Sequence, residues 1–117
     1  HNPTYTDDLG IALRNLGVTY RESDDPASGL GPLNEAVALH RVLHESGPDN
    51  PTYTHALGIA LGNLGVTHRD GGDTALAISK VDESILMTEL ALRQQPGNEV
   101  WQQDLDRMIE LRTQLES

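Results

Sequence analysis

The feature that most constrains this chain is an internal duplication. Residues 2–22 are NPTYTDDLGIALRNLGVTYRE, and residues 50–70, which lie 48 positions later, are NPTYTHALGIALGNLGVTHRD. Five of these 21 positions differ, so 16 are identical. A unit of about 20 to 50 residues that recurs at a fixed spacing is typical of a solenoid, in which each unit buries its apolar face against its neighbours. Such proteins act through surfaces, so the duplication predicts a binding protein.

The composition favours one small helical domain. A chain of 117 residues has room for a single core. Aromatic residues make up 3% and phenylalanine is absent, so the core must consist of aliphatic side chains and methionine, which suit helices better than a β-sandwich. The absence of cysteine excludes disulfides and thiolate metal sites and fits a cytoplasmic protein. No apolar run approaches the roughly 20 residues that cross a bilayer, so we expect no membrane contact.

The charge balance limits the classes of partner. Eight basic and 18 acidic side chains give a formal net charge of −10, which repels nucleic-acid phosphates and anionic lipids. We therefore expect no nucleic-acid partner, and a basic or neutral peptide fits better. A second interpretation, that the surplus of acid keeps the protein soluble, explains the same charge.

Helical periodicity predicts two helices in the first unit. Asn2 before Pro3 is a typical N-cap followed by a first-turn proline, and it opens a helix over residues 3–21. The apolar stripe of this helix should face a partner helix; it consists of Leu9, Leu13, Leu16 and Tyr20. The prolines, glycines and aspartates of residues 23–32 predict a loop, and a second helix follows over residues 33–45.

The second unit repeats this pattern and is followed by a different ending. The stripe of its first helix is Leu57, Leu61 and Leu64, and Thr74 is the expected N-cap of its second helix, which runs to about Gln94. Glycines inside the first helices cost roughly 1 kcal/mol each relative to alanine, so we expect another helix to cross closely at each; they are Gly10, Gly17, Gly58, Gly62 and Gly65. Residues 98–117 mix apolar with charged and amide side chains, which predicts a capping helix.

These patterns predict an all-α protein, an α-solenoid of two antiparallel helix pairs followed by the capping helix. Its parts are repeat 1 (residues 2–49), repeat 2 (residues 50–97) and the cap (residues 98–117), within a single domain over residues 1–117. Because the first repeat begins directly after His1, we expect the chain to be part of a longer protein.

The helix pairs resemble the tetratricopeptide repeat, which has Leu-Gly and an aromatic residue in the first helix, a small residue in the second helix and a closing proline. These elements are Leu16-Gly17, Tyr20, Ala36 and Pro48 in the first copy, and Leu64-Gly65, His68, Ser84 and Pro96 in the second. The unit is longer than that of most members of the family. It is similar to the long repeats of kinesin light chains and of bacterial, especially actinobacterial, signalling arrays beside CHAT protease-like or nucleotide-binding domains. His68, Ser84 and Thr88 depart from the family pattern, which affects local packing.

The resemblance implies that the first helix of each pair lines a concave groove in which a peptide segment or a partner domain lies. The groove residues it implies are Ile11, Arg14, Asn15, Val18, Arg21, Ile59, Asn63, Val66 and Arg69. Amides such as Asn15 and Asn63 can bond to a peptide backbone, and guanidinium groups such as those of Arg21 and Arg69 can bind a carboxylate. The alternative, that these side chains form a solvated or inter-helix-bonded face, stays open.

The carboxylate clamp of chaperone-binding family members is disfavoured. That clamp needs an asparagine directly after Leu-Gly and a lysine in the first helix, whereas Val18 and Val66 occupy the first of these places. The single lysine, Lys80, lies in a second helix.

No catalytic, metal or cofactor site is predicted. His40 and His44 are one helical turn apart and could share a metal, but one partly buried and one exposed helical histidine is the stronger interpretation. The acidic pairs Asp7-Asp8, Asp24-Asp25 and Asp104/Asp106 lie in helix turns and a loop, without the dry cleft that acid–base catalysis needs. Glycine-rich phosphate loops and serine or cysteine nucleophile motifs are absent from the sequence. We therefore expect a protein that is not an enzyme.

A second hypothesis for the function is structural. Two repeats and a cap are fewer than the three units usually needed for stability, and duplicated surfaces can pair between chains. The repeats would then form a stacking or oligomerisation element of a larger bacterial signalling protein.

Overall fold

The computed structural model describes residues 2–117, which form five α-helices and no strand. The helices are α1 (Pro3–Glu22), α2 (Pro26–Ser46), α3 (Pro51–Asp70), α4 (Thr74–Gln94) and α5 (Glu99–Glu116). The expected all-α class is confirmed. Within these residues no helix combines the length and the apolarity that a membrane crossing requires.

Asparagine side chains begin the helices that open the two repeats and the cap, and we call the cap the third unit because Asn98 lies 48 positions after Asn50. The Oδ1 atom of Asn2 accepts hydrogen bonds from the backbone N–H groups of Thr4 and Tyr5, at 3.0 and 3.3 Å. Asn50 makes the same pair of bonds at the start of α3, and Asn98 accepts from the Trp101 N–H at 3.1 Å. These bonds satisfy N–H groups that have no partner inside a helix, and they confirm the predicted helix starts.

The loop predicted over residues 23–32 is wrong, because α2 already begins at Pro26. Asp25 caps this helix by accepting from the Ser28 N–H at 3.3 Å, and a proline in the first turn costs no hydrogen bond. Gly29 continues the helix at a close crossing, where a Cβ would lie 2.8 Å from the Gly17 carbonyl oxygen. Its function is therefore contact with α1, not chain reversal.

The start of α4 also differs by one residue from the prediction. Asp73, not Thr74, is the N-cap, and its carboxylate accepts from the Leu76 N–H at 3.1 Å. An aspartate in this position adds a negative charge at the positive end of the helix dipole, which a threonine does not. The helix ends at Gln94, as predicted.

Helix α3 is the centre of the molecule, because it contacts each of the other four helices. The buried core is a cluster of α2 and α3 side chains, which are Leu33, Val37, Leu57, Ala60, Leu61 and Leu64. Leu30 and Met87 pack against this cluster from its edges. The three stripe residues predicted for α3 are all in the core.

The stripe predicted for α1 has a different environment. Leu9 and Leu16 are 38% and 43% exposed, whereas their counterparts Leu57 and Leu64 are 0% and 1% exposed. Helix α1 turns its glycine side to α2, and a Cβ at Gly10 would lie 2.7 Å from His40 Nε2. The predicted close crossings at the glycines are confirmed. The prediction that the stripe of α1 faces a partner helix is wrong for Leu9, Leu16 and Tyr20, which are exposed, whereas Leu13 is half-buried.

The turns after α1 and α3 have the same hydrogen bonds and different residues. In the first, the N–H groups of Asp24 and Asp25 donate to the carbonyl groups of Arg21 and Tyr20, at 3.0 and 2.9 Å. In the second, Gly72 and Asp73 repeat both distances on their own helix. The first turn places Asp24 at φ 61°, and the second places Gly72 at φ 86°. Only the glycine adopts this left-handed conformation without a steric cost.

Candidate functional site

A cleft of 170 Å³ lies where α3, α4 and α5 meet. Its lining consists of Gly58, Ile59, Gly62, Asn63, Ser84, Thr88, Asp104, Arg107 and Met108. Typical small-molecule sites have about 300 Å³ or more. The cleft therefore has room for one side chain of a ligand and is too small for a large organic cofactor.

The floor of the cleft is set by the close approach of α3 and α4. A Cβ at Gly58 would lie 2.9 Å from Thr88 Oγ1, so the missing side chain lets the two helices touch. The Ser84 hydroxyl donates to the Gly58 carbonyl at 2.7 Å, and the Thr88 hydroxyl donates to the Ser84 carbonyl at 2.8 Å. Both hydroxyl protons are thus used within the fold, so neither group is an activated nucleophile.

A polar network lies at the side of the cleft formed by α5. Asp104 Oδ2 lies 3.0 Å from His55 Nε2, and Asp104 Oδ1 accepts from Arg107 Nη2 at 2.6 Å. The His55 ring stacks on Trp101, with ring centroids 4.5 Å apart and an interplanar angle of 15°. Charge-assisted hydrogen bonds of this kind are stronger than neutral ones. The network holds α5 against α3 and fixes one edge of the cleft.

Two of the groove residues expected from the sequence, Ile59 and Asn63, line the cleft. Arg21 reaches the same place from α1, because its Nη1 lies 3.5 Å from the Asn63 carbonyl oxygen and donates to it. Arg69 instead pairs with its neighbour Asp70 at 3.0 Å. The other expected residues lie on α1 and α3 outside the cleft lining; they are Ile11, Arg14, Asn15, Val18 and Val66.

The equivalent place in the first unit has other side chains. Arg14 is the counterpart of Gly62 in the duplication and is half-buried. Burial lowers the pKa of its guanidinium, partly offset by the charge of Asp7. Alanines replace the larger residues that surround Gly62, with Ala36 at the place of Ser84 and Ala60 at the place of Met108. The first unit therefore accommodates a long side chain where the second leaves open space.

His40 occupies in the first unit the place that Thr88 has in the second. The ring is fully buried, and neither nitrogen has a hydrogen-bond partner within residues 2–117. Its Nδ1 lies 3.7 Å from Asp7 Oδ1, which is an ion-pair distance and too long for a hydrogen bond. Burial lowers the pKa of His40; Asp7 opposes this shift and Arg14 adds to it. The ring is therefore neutral in the folded protein near pH 7.

The two histidines of α2 contact different neighbours. His40 lies against Gly10 of α1, whereas His44 Nδ1 lies 3.1 Å from the Thr54 hydroxyl of α3. The described part of the chain contains no group of three metal-binding side chains. His40 is fully buried and His44 is half-buried, so the expectation of one partly buried and one exposed histidine is wrong.

A second cavity, of 420 Å³, lies between the α1–α2 and α3–α4 turns. Its acidic residues are Asp24, Asp25 and Asp73. Two of these carboxylates, those of Asp25 and Asp73, are already used as helix N-caps. Two of the three acidic groups of this cavity therefore serve the helix ends.

The sequence reasoning missed the contribution of α5 to the cleft. Asp104, Arg107 and Met108 lie on a helix that the sequence assigned only to capping. A signal was present, because Arg107 has the same place in the third unit that Ile59 has in the second and Ile11 in the first. Extending the offset that selected the groove residues into the third unit would have found Arg107.

Comparison of the chain with protein-family models, with curated proteins and with solved structures gives no match.

Proposed function

We propose that residues 2–117 are a short α-solenoid of the tetratricopeptide type, with two antiparallel helix pairs and α5 as the cap. The order of the contacts supports this arrangement. Gly10, near the start of α1, meets His40, near the end of α2, and Gly17 meets Leu33, nearer the start of α2. The first helices form one layer, since α1 contacts α3 and α3 contacts α5.

The function we infer for this layer is binding of an extended segment of another polypeptide. The observation that carries the proposal is the cleft beside Ile59 and Asn63, which lies on the layer that a tetratricopeptide groove would use. Ser84 and Thr88, the hydroxyl groups of the cleft, already donate within the fold. This favours recognition over catalysis.

Three lining residues provide the chemistry of recognition. Ile59 and Met108 form apolar walls for one side chain of the ligand. The Asn63 side-chain amide makes no hydrogen bond within the described residues 2–117, so it can donate to and accept from a peptide backbone. These groups bind a short extended segment through one apolar side chain and the peptide groups next to it.

The charge of the protein selects among such segments. Arg107 is mostly exposed, and its charge is offset by Asp104, so the cleft itself is nearly balanced. The chain as a whole carries −10, which attracts basic ligands over about a Debye length. The preferred ligand is a basic or neutral segment with one apolar side chain of moderate size, and the affinity of basic segments falls as salt is added.

A displayed library of short random peptides provides the test. We expect selection on the protein to enrich peptides with one apolar residue among basic or neutral ones. Titration of an enriched peptide, followed by amide NMR, should shift the signals of Ile59, Asn63 and Met108. The Asn63→Ala variant should bind the same peptide about tenfold more weakly, since it loses hydrogen bonds worth about 1.4 kcal/mol.

Arg93→Ala is the control for a substitution at an exposed position outside the cleft lining, because Arg93 is exposed on α4. Asn34→Ala is the control for the amide, since Asn34 lies on α2 and bonds to the Leu30 carbonyl of its own helix. Both controls should retain the affinity of the original chain. Enriched peptides whose NMR shifts lie outside the cleft, or that bind Asn63→Ala unchanged, would contradict the proposal.

A further inference from the structure

The outer face of α1 is an apolar surface that the rest of the described chain leaves open. We call it the α1 stripe and define it as Tyr5, Leu9, Leu16 and Tyr20, which are 67%, 38%, 43% and 36% exposed. Four large apolar or aromatic side chains on one helix face are more than the scattered exposure usual on protein surfaces. The stripe is separate from the cleft, so a role for it is independent of the proposed function.

Helix α3, the counterpart of α1 in the duplication, shows which kind of neighbour can pack against this face. In α3 the counterparts Leu57 and Leu64 are buried, and α2 is the helix that packs against them. His44, near the end of α2, contacts Thr54, near the start of α3, whereas Leu33, nearer the start of α2, lies in the cluster with Leu64. The same set of residues thus accepts a helix that runs in the opposite direction.

Among residues 2–117 no other helix exposes more than two large apolar side chains; those exposed elsewhere are Val42 on α2, Leu76 and Leu86 on α4, and Val100 and Ile109 on α5. Both α2 and α4 lie between two neighbours, since α2 contacts α1 and α3 while α4 contacts α3 and α5. In α1 the glycine side packs against α2. The corresponding side of α5 is free and polar. In the third unit the places of Thr6, Gly10 and Gly17 are taken by Gln102, Asp106 and Thr113, all exposed. A head-to-tail stack of copies is therefore disfavoured, and the one surface with four large exposed side chains that a second copy offers to the α1 stripe is its own α1 stripe.

The spacing of the stripe is self-complementary. The sequence positions of Tyr5 and Tyr20 have the same midpoint as those of Leu9 and Leu16, and this midpoint lies between Ala12 and Leu13. A two-fold axis at that point sets Tyr5 opposite Tyr20 of the second copy, and Leu9 opposite Leu16 of the second copy. Self-complementarity of this kind is the requirement of a two-fold interface.

The charges and small residues of α1 agree with such a pairing. Under the same symmetry no charged residue of the helix stands opposite another charge; the charged residues are Asp7, Asp8, Arg14, Arg21 and Glu22. Ala12, at the centre, is exposed and small enough for the two helices to approach closely. We propose that two copies of this chain associate through their α1 stripes, antiparallel and about a two-fold axis.

Analytical ultracentrifugation over a range of protein concentrations tests the proposal. We expect a reversible equilibrium between monomer and dimer without larger species, because a two-fold interface closes on itself. Each copy carries −10, so salt should strengthen the dimer by screening the repulsion between copies. A chain that stays monomeric at all concentrations, or that forms open-ended oligomers, overturns the proposal.

Two double variants test the direction of the pairing. Leu9→Glu with Leu16→Glu sets like charges opposite each other across the axis, and the dimer should weaken by more than about tenfold. Leu9→Glu with Leu16→Lys sets opposite charges against each other in the antiparallel dimer and should retain clearly more association. Equal loss in both variants overturns the antiparallel arrangement, because a parallel pairing sets like charges together in each.

Leu86→Glu is the matched control, since Leu86 is an exposed leucine on α4. It should leave the dimer unchanged within about twofold. Circular dichroism confirms that each variant keeps its helices. A dimer that is lost equally in the Leu86→Glu control overturns the assignment to the α1 stripe.

Discussion

Helices α1 and α3 share 16 of the 21 positions in their duplicated segments, yet they are different kinds of element. Ten residues of α3 are buried, whereas three residues of α1 are buried. The difference comes from their neighbours, because α3 lies between α2 and α4 while α1 packs against α2 with its glycine side. The same types of side chain thus lie in the core in α3 and on the surface in α1.

The largest expected effect in this comparison comes from truncation of the corresponding leucine in each of the two helices. Leu64→Ala removes a buried side chain and should lower the free energy of unfolding by about 2–5 kcal/mol. Leu16→Ala removes a side chain that is nearly half exposed and should cost less than about 1 kcal/mol. Urea denaturation at low protein concentration measures both. Equal losses would show that α1 is covered by something other than solvent.

The buried histidine gives the first unit a pH dependence at the place where the second unit has Thr88. Its lowered pKa keeps His40 neutral in the folded chain, while the unfolded chain takes up a proton below about pH 6.5. The free energy of unfolding should therefore fall as the pH drops below that value, by at most about 1.4 kcal/mol per pH unit from this group.

The His40→Thr variant installs the residue of the second unit and is the reference for this measurement. Its stability should depend less on pH between neutrality and pH 5 than that of the original chain. Urea denaturation at several pH values compares the two slopes. Identical slopes would mean that His40 takes up its proton without unfolding.

The hydroxyl group of Ser84 tests what the second unit has at the place of Ala36 in the first unit. Ser84→Ala removes the donor to the Gly58 carbonyl and should cost about 1 kcal/mol. Ala36→Ser adds the same hydroxyl to the first unit, where the ring of His40 lies one turn away. We expect this change to be smaller in magnitude than the loss in Ser84→Ala. Thermal unfolding of the two variants checks the order.

The smallest expected effect is in the turns that follow α1 and α3. Asp24→Gly relieves a left-handed conformation and should raise the free energy of unfolding by about 0.5–1 kcal/mol. Gly72→Asp introduces the same strain in the second turn and should lower it by a similar amount. Opposite signs of the two changes in thermal unfolding support the equivalence of the turns. Two changes of the same sign would refute it.

Local signals in the sequence were sufficient for most helix boundaries. The asparagine caps and the leucine period of α3 depend on neighbours in the sequence, so their effects were predictable. The start of α2 was missed because its early proline and glycines are also the residues of loops. Position 29 within this helix is a glycine because the Gly17 carbonyl of α1 leaves no room for a side chain. That contact is not visible in a local window of the sequence.

The candidate cleft was predictable in part. Ile59 and Asn63 followed from their place on a duplicated helix, whereas Asp104, Arg107 and Met108 lie on α5, which shares little of the repeat. The bond between His55 and Asp104 joins residues 49 positions apart, and the place of His55 in the first unit is taken by Asp7. Periodicity indicates which side chains are apolar but not which helix lies beside them. For that reason the sequence analysis also missed the exposure of Leu9 and Leu16 on α1.

The asparagine caps have a consequence for how such a gene can change. Each unit begins with its own cap, at Asn2, Asn50 and Asn98, so every helix start is specified within the unit that contains it. Unequal recombination between the two near-identical stretches would delete or insert one whole unit. The junction formed would again be an asparagine followed by proline and a helix. A chain with one unit more or one unit fewer would therefore contain only junctions of the kind that this chain already has.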